Sequence, residues 1–440
     1  MSSTKPPGGT RDFLPADVRR REYVIGVVRD VYERYGFEPL ETPAFENIET
    51  LLGKYGEEGN KLIFKILRRG EHEGSGDADL ALRYDLTVPL ARVVAQYQND
   101  LPRFFKRYQI QPVWRADRPA KGRFREFYQC DIDIIGTTST LVEADILSAV
   151  SEVLRRLGFE DFNIRLNHRQ LLAAILRMAG VPAALHDNAV VAIDKLDKIG
   201  RDGVKHELVA RGVPEVAAAK CVFLCEPIDH APSMRKALEA DNETAGTHAL
   251  DQLEEIERLV AMSGPSRIII DTSLARGLSY YTGAIMEISV PDLSGSLGGG
   301  GRYDNLVGMF LGRDLPACGF SLGLERIIVV MTERGMFPES VVGGGVDLMV
   351  TIWNHDTRGD SVALAGDLRK AGLRVDLYPE ADKIGKQFKY AAARQVPFVA
   401  ILGDDERARG EVAVKDLRSG DQTSVARADV ASFVKSRLHG

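Results

Sequence analysis

Residues 107–136 read RYQIQPVWRADRPAKGRFREFYQCDIDIIG, and this segment predicts two antiparallel strands joined by a charged loop. In the first arm Tyr108, Ile110 and Trp114 alternate with polar residues, which is typical of a half-buried strand. The second arm alternates more clearly, and its polar face combines cations, an aromatic ring, an amide and carboxylates: Arg123, Arg125, Phe127, Gln129, Asp131 and Asp133. We expect the rest of the fold to be organised around this hairpin.

The polar face of the second arm has the composition of a binding site. Guanidinium groups suit phosphate, because their planar fork matches an oxyanion and stays charged at any working pH. An aromatic ring suits a purine, while carboxylates and an amide suit the amine and ring nitrogens of a small ligand. A solvated sheet face, with its charges paired to one another, is an equally good interpretation of this segment alone.

Length and composition predict a cytoplasmic protein of two or three domains. The chain has 440 residues, of which 44% are hydrophobic and 27% charged, as in ordinary globular proteins. No apolar run reaches the roughly 18 residues of a membrane span, and the first residues do not resemble a signal peptide. The cysteines are too few and too scattered for a disulfide framework: Cys130, Cys221, Cys225 and Cys318.

The net charge of −6 restricts the partners of the chain. Proteins that coat nucleic acid are usually basic, so no DNA partner is expected, and a contact with one folded RNA would need local basic patches. Cys221 and Cys225 lie four residues apart without a second pair of ligands, and the histidines form no ligand spacing. We therefore predict no protein-bound metal site.

Several features outside the hairpin favour a ligand site. Asp85 and Thr87 lie two residues apart in a predicted strand at 81–89, where they would share a face and hold an ammonium group. An acid and a hydroxyl at a helix N-terminus are the alternative. Arg276 lies among apolar residues, and a buried arginine needs an anion such as phosphate. Arg326 is predicted in the first turn of a helix, where a cation is unfavourable unless an anion holds it.

The glycine run at 298–301 has neither the dinucleotide-binding nor the P-loop spacing. It either lets a ligand approach the backbone closely or forms a plain turn. The segment at about 170–262 is predicted to be largely helical, as an insertion between strand-forming segments.

A Gly-containing linker at 339–346, directly after Pro338, precedes a region in which strands alternate with helices, so 347–440 predicts an α/β domain with a mostly parallel sheet. Its helix near 383–394 combines an apolar face with a basic one. The basic face, which includes Gln387 and Tyr390, is a candidate RNA contact through Lys383, Lys386 and Lys389, and a solvated helix face is the alternative.

Taken together, these motifs resemble the histidyl-tRNA synthetase family of class II aminoacyl-tRNA synthetases. The resemblance runs nearly end to end, through GTRDFLP at 9–15, YGFEPLETPAFE at 35–46, LRYDLTVPLAR at 82–92, the hairpin, RGLSYYTG at 276–283, GGGRYDNLVG at 299–308, GFSLGLERI at 319–327 and ILGDDERARGEVAVKDLRSG at 401–420. It implies an α+β fold: a class II catalytic domain at 1–338 on an antiparallel sheet of six or seven strands, with the helical insertion, and a C-terminal α/β anticodon-binding domain. It also implies a homodimer.

The same resemblance implies a histidine–tRNA ligase. ATP with Mg²⁺ would convert L-histidine to histidyl-adenylate and pyrophosphate, and histidine tRNA would then receive the acyl group. The catalytic residues implied are Arg115 and Arg276. The ATP-binding residues implied are Arg115, Asp117, Arg123, Phe127 and Arg326. The histidine-binding residues implied are Asp85, Thr87, Gln129, Asp133, Tyr280 and Tyr281.

One departure and two rival interpretations remain. Ser279 stands where the family usually has Asp, and we expect this to weaken turnover or histidine affinity modestly. A non-catalytic, histidine-binding regulatory paralogue of the ATP phosphoribosyltransferase would lack the C-terminal domain and usually lose catalytic arginines, both of which this chain keeps. A class II synthetase for another amino acid fits RGLSYYTG and the glycine run less well.

Overall fold

The computed structural model describes residues 4–68, 76–225, 231–275, 280–293 and 295–438. The chain forms two compact units, each treated separately below. The large unit comprises Met1–Asp12 and Arg21–Met336, and the small unit comprises Phe13–Arg20 and Phe337–Gly440. Within the described residues, no helix combines the length and apolar composition required to cross a membrane.

An eight-stranded sheet forms the centre of the large unit. In spatial order its strands are β1 (Glu38–Pro39), β5 (Phe105–Trp114), β6 (Glu126–Ile135), β11 (Ala317–Gly323), β10 (Ser296–Arg302), β9 (Ala284–Ser289), β7 (Asn163–His168) and β8 (Ile268–Ile270). The six inner strands are antiparallel, whereas the two short outer strands pair in parallel with their neighbours. The predicted antiparallel sheet is confirmed, and β1 and β8 extend it.

The hairpin β5–β6 has the predicted alternation. Gln129, Asp131 and Asp133 share one face, while Cys130 and Ile132 on the other face are fully buried. β6 begins at Glu126, so two arginines assigned to this strand lie in the loop before it: Arg123 and Arg125. The loop ends with the pairing of residues 120 and 123, which turns the chain before the strand begins.

The strand predicted at 81–89 is wrong beyond residue 82. β4 (Ala78–Leu82) ends there and lies between β2 (Phe45–Asn47) and β3 (Lys65–Leu67) in a separate three-stranded sheet. Asp85 accepts a hydrogen bond from the backbone N–H of Val88, and α4 (Thr87–Gln96) begins between them. The alternative of an acid and a hydroxyl at a helix N-terminus is therefore the observed one.

The remaining helices of the large unit cover the sheet and form the insertion. The insertion contains α6 (Arg169–Ala179), α7 (His186–Ile193), α8 (Leu196–Ala210), α9 (Glu215–Leu224), α10 (Ala231–Ala240) and α11 (Thr244–Ser263). The others are α1 (Pro15–Arg34), whose residues up to Arg20 belong to the small unit, α2 (Ile48–Leu51), α3 (Gly56–Lys61), α5 (Leu141–Arg156), α12 (Gly308–Leu311) and α13 (Leu324–Glu333). The predicted helical character of the insertion is confirmed by these elements.

The glycine run belongs to β10 and is not a turn. A side chain at Gly298 or Gly300 would collide with Phe320 on the apolar face of the sheet. Gly299 pairs with Ser321, and its missing side chain would point to the polar face, where only the carbonyl of Met286 lies within 3.4 Å. The glycines therefore allow tight packing on the apolar face and leave the polar face open at Gly299.

The small unit has a mixed sheet in the order β13 (Val375–Leu377), β12 (Leu348–Val350), β14 (Phe398–Ile401), β15 (Glu411–Asp416) and β16 (Gln422–Ala426). Its helices are α14 (Glu339–Val342), α15 (Arg358–Lys370), α16 (Ile384–Ala393), α17 (Asp404–Arg409) and α18 (Val430–Leu438). The predicted parallel pairing is confirmed for β12 with β13 and with β14, but the sheet is not mostly parallel, because β14–β15 and β15–β16 are antiparallel. Only the short α17 connects β14 to β15, and a parallel crossover needs a longer connection.

Candidate active site

A cavity of about 340 Å³ lies against the polar face of the large sheet. β6, β10 and β11 contribute to its wall together with the first turns of α4 and α13. All of the predicted ATP- and histidine-binding residues that the structure describes, except Asp133, line it: Asp85, Thr87, Arg115, Asp117, Arg123, Phe127, Gln129, Tyr280, Tyr281 and Arg326. Residues far apart in sequence thus meet at one small-molecule-sized cavity.

Arg115 follows the last residue of β5, and hydrogen bonds from both its backbone and its side chain fix its position. Its backbone N–H donates to the carbonyl of Arg125, and its Nε donates to the carbonyl of Tyr84 at 3.1 Å. The guanidinium carbon lies 4.3 Å from the ring centre of Tyr84 and 5.2 Å from that of Phe127. A cation fixed beside an aromatic ring in a cavity is well placed for a nucleotide phosphate.

Asp117 and Arg123 face each other across the loop before β6. Nε of Arg123 donates to Oδ2 of Asp117 at 3.1 Å, and Nε of Arg125 donates to the Asp117 carbonyl at the same distance. The loop is therefore braced by its own charges.

The first turn of α13 brings a carboxylate, Glu325, and a guanidinium group, Arg326, into the cavity wall. Glu325 is buried and accepts from the backbone N–H of Tyr128 at 2.9 Å and from Nη1 of Arg21 at 2.8 Å. Nη1 of Arg326 donates to the carbonyl of Ser296 at 2.6 Å. The prediction of Arg326 in the first helical turn is confirmed, and a backbone carbonyl contributes to holding it.

Asp85 is fully buried beside aromatic hydroxyls. Its Oδ1 accepts from the hydroxyl of Tyr55 at 2.9 Å, and its Oδ2 accepts from that of Tyr280 at 3.4 Å. Burial raises the pKa of this carboxyl group, against the lowering effect of the Val88 N–H and of Arg115. A cationic ligand would favour its ionised form.

Gln129 contributes an amide to the same wall. Its Nε2 donates to the hydroxyl of Ser321 on the neighbouring strand at 2.7 Å. Its Oε1 is buried and receives no hydrogen bond from any residue that the structure describes. A donor from a ligand would satisfy it.

Asp133 is the exception among the described candidates, because other side chains cover it. It forms an ion pair of 2.7 Å with the fully buried Arg107 and accepts from the hydroxyl of Tyr303. A side chain at Gly319, which lies opposite in β11, would collide with the Asp133 carboxylate. Sequence reasoning gave Arg107 and Tyr303 no role; a charged residue opposite Asp133 in the β5–β6 register was the available signal.

Tyr280 and Tyr281 meet edge to face, with ring centres 5.1 Å apart, and Tyr281 is also close to the polar face of the sheet at Gly301. Burial raises the pKa of both hydroxyls. They are therefore neutral hydrogen-bonding groups at any working pH. Arg276 and Ser279, which precede them in the chain, lie outside the described residues.

The basic helix of the small unit is α16. Lys383 and Lys389 are exposed, and Nζ of Lys386 forms an ion pair of 3.0 Å with Asp382. Gln387, which was assigned to the basic face, is instead buried, and it exchanges hydrogen bonds with both backbone groups of Ile352.

Metal ligands are not preassembled in the part of the chain that the structure describes. No three acidic, histidine or cysteine side chains there are grouped in a way that could hold an ion. Glu287 and Glu325 are carboxylates that line the cavity. Mg²⁺ typically binds through one or two carboxylates plus substrate phosphates, so this donor set fits an ion that arrives with a nucleotide.

A cavity that joins guanidinium groups, an aromatic ring and buried acceptors is typical of an enzyme acting on a nucleotide and an amine. Comparison with known proteins specifies the family. Residues 9–327 match the model of the histidyl-tRNA synthetase family, and residues 347–437 match that of an anticodon binding domain.

Individual relatives agree over the whole chain. Proteins named histidine–tRNA ligase from Porphyromonas gingivalis and Flavobacterium johnsoniae are 42% and 41% identical to it, over 99% and 96% of this chain and 99% and 98% of theirs. The crystal structure of histidyl-tRNA synthetase from Nostoc sp. PCC 7120 has a TM-score of 0.85 at 32% identity, covering 99% of this chain and 100% of that one. The chain belongs to the histidyl-tRNA synthetase family.

The rival paralogue is less well supported. A Bacillus halodurans structure described as an ATP phosphoribosyltransferase regulatory subunit/histidyl-tRNA synthetase has a TM-score of 0.72 but only 21% identity, so it indicates a shared fold alone. The relatives with about 40% identity are histidine–tRNA ligases, and this chain is accordingly an enzyme of that kind.

Proposed function

We propose that this histidine–tRNA ligase binds ATP and L-histidine together in the cavity above β6 and forms histidyl-adenylate there. The observation that carries the proposal is the meeting of Arg115, Phe127 and Arg326 with the acceptors Asp85 and Gln129 around one cavity. In the first step a histidine carboxylate oxygen forms a bond to the α-phosphorus of ATP. The bond from that phosphorus to the bridging oxygen breaks, and pyrophosphate leaves.

ATP would be held by cations and rings that are already positioned. Arg115 would contact the α-phosphate, and Phe127 with Arg326 would enclose the adenine. Asp117 and Arg123 would place the nucleotide from the loop before β6. Charge that develops at the α-phosphate would be stabilised by Arg115 and by Arg276, whose role rests on the family motif RGLSYYTG alone.

Histidine would bind by donating hydrogen bonds. Asp85, Thr87 and Gln129 would receive its α-amino group, since their acceptor atoms line the cavity. Asp133 and Tyr281 would recognise the imidazole, and Tyr280 would contribute to the same histidine site. The Asp133 carboxylate is paired with Arg107 and accepts a hydrogen bond from the hydroxyl of Tyr303, which covers it. Tyr303 would therefore share the contact with the imidazole.

Mg²⁺ would arrive with ATP and neutralise phosphate charge while the chain's own residues hold the reacting groups. Glu287 and Glu325, two of the carboxylates that line the cavity, would contact it or its waters in addition to their ion pairs with Arg165 and Arg21. Arg115 would orient the α-phosphate for attack, and the mostly buried wall would limit access of water to the adenylate.

In the second step a ribose hydroxyl of the 3′-terminal adenosine of histidine tRNA would attack the histidyl carbonyl. The new ester bond forms as the bond from the carbonyl carbon to the phosphate oxygen breaks, and AMP leaves. The anticodon would bind to the small unit, whose sequence matches an anticodon binding domain. Exposed Lys383 and Lys389, with Lys386, support α16 as one RNA-contacting element.

The chain would act in the cytoplasm as a homodimer. Phe45 on β2 and Leu67 on β3 are 51% and 59% exposed, which supports packing of a second copy on the three-stranded sheet. Light scattering of the purified protein tests this point: a mass of twice the chain supports it, and a monomer at micromolar concentration contradicts it.

The decisive test of the activity is exchange of labelled pyrophosphate into ATP, with each of the twenty amino acids and without tRNA. Exchange that requires histidine supports both the reaction and its specificity. Histidine binding without any exchange would instead support the regulatory interpretation, and exchange with another amino acid would reassign the substrate.

A further inference from the structure

The hydrogen bonds of Gln129 determine which end of its amide faces the cavity. Nε2 donates to Oγ of Ser321 at 2.7 Å and lies 3.5 Å from Oδ1 of Asp131. The side chain is 8% exposed and lines the cavity, and its Oε1 has no donor among the described residues. A buried acceptor without a donor is costly, so this wall is suited to a ligand that brings an N–H group.

Ser321 owes its own direction to Asp131. The two residues are directly opposite in the β6–β11 register, and the nearby Ser321 hydroxyl lowers the pKa of the Asp131 carboxyl group, as a hydroxyl that donates to a carboxylate does. An ionised carboxylate has no proton to give, so the hydroxyl must donate to it. The hydroxyl oxygen is then left to accept from Nε2 of Gln129. The charge on Asp131 thus sets the direction of both hydrogen bonds.

We infer that Asp131 and Ser321 are positioning residues that hold the Gln129 amide with its oxygen toward the amine of histidine. The inference deepens the proposed function, on which the identity of the ligand rests. Asp131 itself is 2% exposed and acts through its neighbours. Specificity for an amine donor follows, because an amide turned the other way would present its own N–H groups to those of the ligand.

The charge of Asp131 is sensitive to its surroundings. Burial raises its pKa to about 7, Asp133 and Asp85 add to that effect, and Arg107 opposes it. The neighbouring Tyr281 stays neutral, since its own pKa is raised. Asp131 is therefore ionised above neutral pH, and the alignment of Gln129 weakens as the pH falls and the carboxyl group gains a proton of its own to donate.

The main test is Asp131→Asn in the full-length protein. The Asn amide can donate to Ser321, whose hydroxyl then turns toward Gln129 and favours the reversed amide. The KM for histidine in pyrophosphate exchange should rise about 10- to 100-fold, the effect of losing a hydrogen bond to a charged group. The KM for ATP and the kcat at saturating histidine should be unchanged, and the melting temperature at pH 8 should not fall.

Ser321 offers a matched pair of variants. In Ser321→Ala, Nε2 of Gln129 can move the short distance to Oδ1 of Asp131, so the KM for histidine should rise less than in Asp131→Asn. Ser321→Thr keeps the hydroxyl and should restore the wild-type KM. An equal rise of the KM for histidine in the Ser321→Ala and Ser321→Thr variants would indicate an effect of packing and would overturn the inference that the Ser321 hydroxyl positions Gln129.

A ligand without the amine separates orientation from other effects. Binding of L-histidine and of imidazolepropionate, its des-amino analogue, is measured by calorimetry for wild type and Asp131→Asn. The substitution should weaken the binding of histidine and leave the binding of the analogue unchanged. The histidine affinity of wild type divided by that of Asp131→Asn should fall toward one between pH 8 and pH 6. Equal weakening of both ligands, or a ratio independent of pH, overturns the inference. Wild-type protein that neither binds nor activates histidine overturns the proposed function as well.

Discussion

The polar face of β6 and the basic face of α16 are similar in sequence, since each places charged side chains at the spacing of its element, but they differ in access to water. Asp131 and Asp133 are each 2% exposed, whereas Lys383 and Lys389 are exposed. A buried charge needs a partner or a proton, and a solvated charge needs neither. Replacing a charged side chain is therefore expected to change the stability of the protein strongly on β6 and only weakly on α16.

The largest effect on the reaction rate is expected from replacing the arginine that would contact the transition state. Arg115→Gln should lower the rate of histidine-dependent pyrophosphate exchange by roughly 10²–10³-fold, because a positioned cation stabilises the charge that develops on phosphate. Single-turnover adenylate formation is the measurement. Arg313→Gln, at an exposed position of the same unit, is the control. A loss below tenfold would remove Arg115 from the proposed chemistry.

Stability should show the same contrast between buried and solvated charge. Asp133→Asn removes the direct ion-pair partner of the fully buried Arg107, so the free energy of unfolding should fall by about 3–5 kcal/mol. Lys386→Gln breaks the exposed pair with Asp382 and should cost less than about 1 kcal/mol. Urea unfolding at pH 7.5 measures both. Similar losses in the two variants would contradict the comparison.

A pH dependence of stability should follow from Asp131, whose pKa is raised to about 7 from 3.8. The folded protein keeps this proton longer than the unfolded chain, so the stabilising contribution is complete below pH 3.8 and is lost as the pH rises through 7. The stability of wild type relative to Asp131→Asn should therefore fall between pH 5 and pH 8, by a few kcal/mol at most. A difference that is constant with pH would contradict the shift.

The smallest effect is expected on α16. Replacing both Lys386 and Lys389 by Glu should raise the KM for histidine tRNA by about one order of magnitude and leave adenylate formation intact. The salt dependence of tRNA binding should also become shallower. The same reversal at Arg358 and Lys370, two exposed residues of α15, is the control. Unchanged aminoacylation would place the RNA contact elsewhere.

Local pattern was sufficient to predict much of the fold. Alternation identified β5 and β6, and the helix start near Arg326 followed from the strand-to-helix change in sequence. The strand at 81–89 failed because apolar alternation continues into a helix N-terminus, and only the capping contact from Val88 to Asp85 distinguishes the two. Whether β14 and β15 are parallel or antiparallel depends on the length of the connection between them, which the alternation of strands and helices does not indicate.

The cavity was predictable as a set of residues but not as a set of contacts. Periodicity placed Gln129 and Asp133 on one face, yet it contains no information on depth, so it could not distinguish a cavity-lining amide from a carboxylate covered by Tyr303. Gln387 shows the same limit on α16, where a polar residue is buried because the backbone of Ile352 needs its hydrogen bonds. Depth is decided by partners that are distant in sequence.

The absent side chain of Gly319 makes two positions depend on each other during sequence change. Because the carboxylate of Asp133 occupies the space that any β-carbon at 319 would need, alanine at 319 requires a shorter residue at 133. A shorter residue there would in turn leave Arg107 without its anion. Neither site can drift alone, so engineered variants of this pocket will have to change residues 107, 133 and 319 as a group.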